Sequence, residues 1–196
     1  VVHLNGARSY QNNLILKYAK KYNVPYILQP HGSLLRIIEI RHLKLIYDLI
    51  WGNEILMNSS RVIALHKGEV DQIKSRGVSE DKIDIVPNGI DLLEFSCLPP
   101  RGQFRKKYNI DSNKKLILFL GRMHKIKGLS LLFKAFSELN NNLGETILIM
   151  AGPDDGFLKH LKKQVACLNL FQKVLFTGPL YGNDKLEAFV DADVYV

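Results

Sequence analysis

Leu116-Ile117-Leu118-Phe119-Leu120, then Gly121-Arg122-Met123-His124-Lys125-Ile126-Lys127-Gly128, then Leu129 to Leu139, is the stretch that decides the fold. The apolar run before Gly121 suits a strand buried on both faces, and Leu132, Ala135, Phe136 and Leu139 recur at helical spacing. The order is strand, basic loop, helix. Arg122 and Lys127 therefore stand where the chain leaves a sheet, the edge at which open α/β sheets bind ligands. Gly121 lets the backbone turn sharply there or approach a ligand closely. A planar guanidinium fork, an ammonium group and the amino end of the following helix together suit a phosphate or diphosphate.

The same rhythm extends outward. In the second half, apolar segments 146–150, 174–176 and 193–196 read as strands, and 157–168 and 184–192 as helices. In the first half, Val1–Leu4, Tyr26–Leu28, Val62–Leu65 and Ile83–Val86 read as strands, with a helical stripe of Leu14, Ile15, Tyr18, Ala19 and Tyr22 between the first two. Pro99-Pro100-Arg101-Gly102 breaks regular structure. These signals predict an α/β protein of two Rossmann-like domains with parallel sheets, 1–98 and 99–196. Residues Leu34 to Leu56 are rich in Leu and Ile with Arg36, Arg41, His42 and Lys44 interspersed. So many apolar side chains favour a helix hairpin buried against its own domain, the alternative being an amphipathic surface that touches an anionic membrane.

Two further glycine-bearing loops follow strands of the second half, Gly152-Pro153-Asp154-Asp155-Gly156 and Gly178-Pro179-Leu180-Tyr181-Gly182. Parallel strands with same-handed crossovers place all three loops on one edge, so Gly121, Gly152 and Gly178 converge on Arg122. Neither G-x-G-x-x-G nor a Walker loop occurs, which argues against a dinucleotide fingerprint or a P-loop. His31, in Pro30-His31-Gly32, ends a strand of the first half. If the halves face each other, it could accept or position a substrate hydroxyl. His3 and His66 also close strands and read as structural. Asp191-Ala192-Asp193 spells a D-x-D pattern, but at a helix end it reads as capping and turn, so no metal is assigned.

Composition bounds the partners. Of the 196 residues, 46% are hydrophobic, which excludes a disordered chain. The two cysteines, Cys97 and Cys167, have neither disulfide-framework nor zinc spacing, which favours a reducing, cytoplasmic setting. The net charge of +8 is uneven, with 12 Lys and Arg against 10 Asp and Glu in residues 1–98 and 15 against 9 in 99–196. The excess lies in the second half, where it fits a phosphate site but equally a nucleic-acid surface or a solvated face, and on charge alone the solvated face is the better reading. No helix carries a continuous basic stripe with interleaved aromatics, so nucleic acid is not an expected partner.

Val86-Pro87-Asn88-Gly89-Ile90-Asp91 with Phe95, Phe119-Leu120-Gly121-Arg122 with Lys127-Gly128-Leu129, Ala151-Gly152-Pro153, Phe176-Thr177-Gly178 and Ala192-Asp193-Val194 follow one another in an order that resembles the retaining glycosyltransferases of family 4, of GT-B architecture. The resemblance runs over most of the chain. It implies a nucleotide-sugar donor, UDP- or GDP-linked, bound mainly by the second domain, and a glycan or lipid-linked acceptor held by the first. Arg122 and Lys127 match the family's donor-diphosphate pair, which makes the transfer metal-independent and needs no cofactor beyond the donor. Gly121 matches the close approach to the phosphates, Gly152 its neighbouring loop, and Gly178 to Leu180 the backbone beside the nucleobase. His31 resembles the first-domain histidine near the sugar and acceptor. The stretch Ala64 to Glu69 departs from the family's Ala-x-Thr-x-x-Glu, with His66 in place of the threonine.

The resemblance further implies a hexosyltransferase of cell-surface polysaccharide or lipopolysaccharide synthesis, working at the inner face of the membrane. The family's glutamate pair would begin beyond Val196 and its first-strand glycine loop before Val1, so the expectation is a fragment lacking both ends and inactive by itself. Two alternatives stand beside this reading: a non-catalytic nucleotide or polyanion-binding module, and a nucleotide-sugar 2-epimerase.

Overall fold

The computed structural model describes residues 1–35, 41–140 and 145–196, so the Arg36 part of the Leu34–Leu56 segment lies outside the described residues. The chain divides into two units, Val1–Ile90 and Asp91–Val196, the division falling a little before the 98/99 boundary expected from the proline pair.

The first unit is a parallel sheet in the order β1-β2-β3-β4, formed by β1 (Val2–Asn5), β2 (Tyr26–Gln29), β3 (Arg61–Ala64) and β4 (Ile83–Ile85). Between β1 and β2 runs α1 (Tyr10–Tyr22), whose first turn is capped by the Ser9 hydroxyl accepting from the Asn12 N–H. Leu16 and Ala19 of α1 join Leu4, Leu28, Val62, Ile55 and Ile73 in one core. Between β2 and β3 come α2 (Arg41–Tyr47), a π-helical turn Asp48–Gly52 and α3 (Asn53–Asn58), and α4 (Lys67–Lys74) follows β3.

That middle helical segment is held by a buried charge rather than by its apolar surface. Asp48 is 3% exposed. Arg8 grips both its oxygens at 2.8 Å, and Arg76 reaches Oδ2 at 3.0 Å. Two guanidinium groups on one carboxylate supply the pairing a buried ion requires. Gly52 is needed beneath it, because a Cβ there would stand 2.8 Å from Asp48 Oδ1. The outward side chains Leu43, Ile46, Leu49, Ile50 and Trp51 are exposed, so the expected burial of this hairpin against its own unit applies to Ile55 and Leu56 but not to them.

In the second unit the sheet order is β7-β6-β5-β8, again parallel, formed by β5 (Lys115–Leu120), β6 (Thr146–Ala151), β7 (Val174–Gly178) and β8 (Val194–Tyr195). α5 (Gln103–Lys107) precedes β5, and α6 (Leu129–Asn140), α7 (Leu158–Cys167) and α8 (Gly182–Asp191) connect the strands. β5 is buried on both faces, as its apolar run predicts. Leu116 and Leu118 pack with Phe104, Ile149 and Ala188 on one side. Ile117 and Phe119 pack with Phe133, Phe136, Leu148 and Leu161 on the other. Alternate strand residues point to opposite faces, so one run of sequence serves two cores.

Asp191 caps a helix, though α5 and not the α8 that it ends, and Asp193 holds a strand N–H instead of a helix end. The Asp191 carboxylate, fully buried, accepts from the N–H groups of Gly102 and Arg105 and so caps α5 from across the unit. Asp193 accepts from the Leu116 N–H at 2.8 Å and pairs with Arg105 at 3.0 Å and Arg101 at 3.3 Å. Burial alone would raise its pKa, but the Leu116 N–H and the surrounding Lys115, Arg105 and Arg101 outweigh it and hold the carboxyl below the usual range.

Candidate functional site

Backbone bonds between the three glycine loops build the carboxyl edge of the second sheet. The Gly121 N–H donates to the Ala151 carbonyl at 2.9 Å, and the Gly152 N–H to the Gly178 carbonyl at 2.8 Å. Further out, the Met123 N–H donates to the Pro153 carbonyl at 2.8 Å and the Asp155 N–H to the Met123 carbonyl at 3.3 Å. The sheet's hydrogen-bond ladder thus continues past its strands, and the loops behave as one surface.

Gly152 is the residue this depends on. Its φ is 145°, and a Cβ built there would lie 1.9 Å from the Gly121 carbonyl oxygen. No side chain fits. The resemblance counts Gly152 among the donor loops, and in the structure its freedom admits the neighbouring Gly121 loop. Gly178 also has a positive φ, 76°, but its Cβ position meets nothing within 4 Å.

Arg122 leaves this edge exposed, its guanidinium paired at 2.8 Å with Asp155. Lys127, also exposed, is the last residue of a 3-10 turn, Lys125–Lys127, that lies between Arg122 and α6. His124 starts that turn by accepting the Ile126 N–H on Nδ1 at 3.2 Å, and Gly128 ends it with φ 69°. Asp154 turns the other way, accepting from Phe157 and Leu158 at 3.0 Å to cap α7. Leu180 is buried in the core, so only its backbone faces the edge. A cavity of about 450 Å³ lined by Lys115, Ile117, Thr146 and Val194 lies at the opposite, amino edge of the sheet and takes no part in this arrangement.

The structure therefore groups Gly121, Arg122, Gly152 and Gly178 in hydrogen-bonded loops of the second unit, with Lys127 in the turn that follows Arg122. His31 belongs to the first unit, exposed after β2 with φ 52°, its Nε2 3.0 Å from Asn5 Oδ1. The residues that sequence reasoning left without a role are Asp155, His124, Asn5 and Glu69. Asp155, Asn5 and Glu69 act across loops, and His124 acts within its own turn. Only the Asp154-Asp155 pair, two carboxylates beside a basic loop, gave a readable signal.

Two parallel-sheet units with a cationic loop at one sheet edge define a GT-B type of protein. Residues 1–93 match the family model described as "Glycosyltransferase Family 4", and residues 100–196 the model described as "Glycosyl transferases group 1". With nearly all of its length covered by these two models, the chain belongs to the family 4 and group 1 glycosyltransferases.

It is 25% identical over 202 residues to the uncharacterized glycosyltransferase MJ1069 of Methanocaldococcus jannaschii, covering 98% of this chain and 50% of that protein. It is 30% identical over 150 residues to a D-inositol 3-phosphate glycosyltransferase of Pseudarthrobacter chlorophenolicus, covering 74% of this chain and 35% of that one. Among solved structures, Anabaena Alr3699/HepE in complex with UDP and glucose superposes with a TM-score of 0.77 at 17% identity, over 98% of this chain and 51% of that one. The chain thus spans about half the length of these relatives or less.

Gly152→Ala should destabilise the protein by several kcal/mol, about 3 or more, because a backbone clash adds to the strain of a positive φ. Gly178→Ala should cost about 1 kcal/mol. Thermal melts of the two variants compare them directly; equal losses would refute the interlocked-loop description.

Proposed function

We propose that the protein is a metal-independent, retaining hexosyltransferase whose second unit holds the diphosphate of a nucleotide-sugar donor between Arg122 and Lys127. The observation that carries this is the exposure of both cations at the carboxyl edge of β5, beside backbone loops that offer close approach. As the glycosidic bond breaks, negative charge grows on the departing nucleoside diphosphate. A guanidinium and an ammonium group placed beside the diphosphate stabilise that charge more than they stabilise the ground state, which lowers the barrier. Arg122 must exchange Asp155 for phosphate. The exposed ion pair contributes at most about 1 kcal/mol, so a diphosphate carrying more charge wins the exchange.

The neighbour bound to UDP supports a uridine donor, with GDP as the competing choice. His31 and Asn5, joined at 3.0 Å at the carboxyl edge of the first sheet, would orient a hydroxyl of a glycan or lipid-linked acceptor. The exposed face of Leu43, Ile46, Leu49, Ile50 and Trp51 supports contact with an anionic membrane carrying such an acceptor. Among the described residues no helix is long and apolar enough to cross a membrane.

UDP or GDP should raise the melting temperature, and Arg122→Ala or Lys127→Ala should each weaken that binding about tenfold or more. Unchanged binding by the double variant would sink the site. The transferred sugar should keep the donor's anomeric configuration in proton NMR spectra of the product, and an inverted product would contradict retention. Trp51 is the chain's single tryptophan, so its fluorescence should shift to the blue on adding phosphatidylglycerol vesicles but not phosphatidylcholine vesicles. No shift with either would remove the membrane surface from the account.

A further inference from the structure

Glu69 is a buried carboxylate with an unusual assignment of its two oxygens. It is the third residue of α4 and 1% exposed. A glutamate at that helix position ordinarily reaches back to the N–H of the capping residue, here His66. Glu69 instead accepts from Leu65 N–H with Oε2 at 2.8 Å and from Gly32 N–H with Oε1 at 2.6 Å. The second bond leaves α4 altogether. It ties the helix to the Pro30-His31-Gly32 turn after β2, from another crossover of the same unit.

That turn is strained where it matters. His31 has φ 52° and Gly32 φ 71°, two left-handed residues in succession. A histidine in this region costs roughly 1 kcal/mol or more and persists only where its surroundings hold it. The Gly32 N–H is the donor that fixes the peptide between the two residues, and a charged acceptor makes a stronger bond than a neutral one. The ring has a separate partner, His31 Nε2 meeting Asn5 Oδ1 at the end of β1. Glu69 thus holds the backbone of the turn at Gly32, and Asn5 holds the imidazole.

We propose that Glu69 is a positioning residue for His31: it fixes the left-handed turn that aims the imidazole at Asn5 on the carboxyl edge of the first sheet. This deepens, and rests on, the acceptor-side reading of His31. It also gives the buried charge a purpose beyond the helix end. A glutamine at this position keeps the shape but has one acceptor oxygen for two N–H groups, so either the helix or the turn loses its partner.

The test uses Glu69→Gln, His31→Ala and the double variant. In the assayed transferase, Glu69→Gln should lower kcat/KM for the acceptor about tenfold or more, since small misplacements of a reacting group are costly. Its affinity for UDP or GDP should stay within about twofold, because the donor loops belong to the other unit. In the His31→Ala background the same substitution should change turnover less than about twofold, the non-additivity expected of residues acting as one. Equal losses in both backgrounds would overturn the proposal.

Independently of activity, the His31 ring resonances in carbon-resolved proton NMR should move in Glu69→Gln while those of His124 stay in place. Unmoved His31 resonances would overturn the proposal as well. If His31→Ala leaves turnover intact, the acceptor-side reading fails and the ring resonances still decide the role of Glu69. Should Glu69→Gln fail to fold by melting, Glu69→Asp, which keeps the charge on a shorter reach, serves in the same NMR comparison.

Discussion

The close approach of the Gly152 backbone to the Gly121 carbonyl is the constraint on which the glycine-loop edge of the second sheet depends. A Cβ at Gly152 would overlap the Gly121 carbonyl, so the two loops share a surface, and the hydrogen bonds from Gly121 to Ala151 and from Gly152 to Gly178 extend the sheet beyond its strands. Arg122 emerges from this frame, not from a free loop. Its backbone position is therefore set before any ligand arrives, and only the guanidinium has to move. A backbone already in place leaves less order to be lost on binding, which favours electrostatic stabilisation of a leaving group.

The first unit solves the same problem with side chains. Glu69 and Asp48 are buried acids that join segments distant in sequence, one fixing the turn at His31 and the other fastening the helical segment before β3. Each is satisfied by donors on more than one element, so neither leaves an uncompensated buried charge. Polar groups at these positions specify loop geometry, while the apolar cores set by β2 and β5 supply the bulk of the stabilisation.

Much of this was legible because the cores are periodic. The apolar run at β5 and the helical spacing after it follow from burial on two faces, and the strand-end glycines follow from the topology. The partners of Arg122 and His31 were not legible. Asp155 is visible as a carboxylate near the basic loop, but its pairing with Arg122, the Asn5 contact of His31 and the Glu69 bond to the Gly32 N–H cross between loops, and no spacing rule records a bond between separate crossovers. Gly152 is legible as a required glycine but its neighbour is not, since a glycine that admits a backbone looks the same in sequence as one that admits a phosphate. The segment around Leu49 and Trp51 was misjudged for a related reason. Apolar abundance signals burial only when something is there to cover it.

The central claim is that one interlocked edge of the second sheet receives a nucleoside diphosphate. It is tested most directly by titrating isotope-labelled protein with UDP and with GDP while recording backbone amide spectra. The account predicts that the amides of Gly121, Arg122, Lys127, Gly152 and Gly178 shift together with a single affinity. Shifts confined to other regions, or different affinities at these amides, would contradict it.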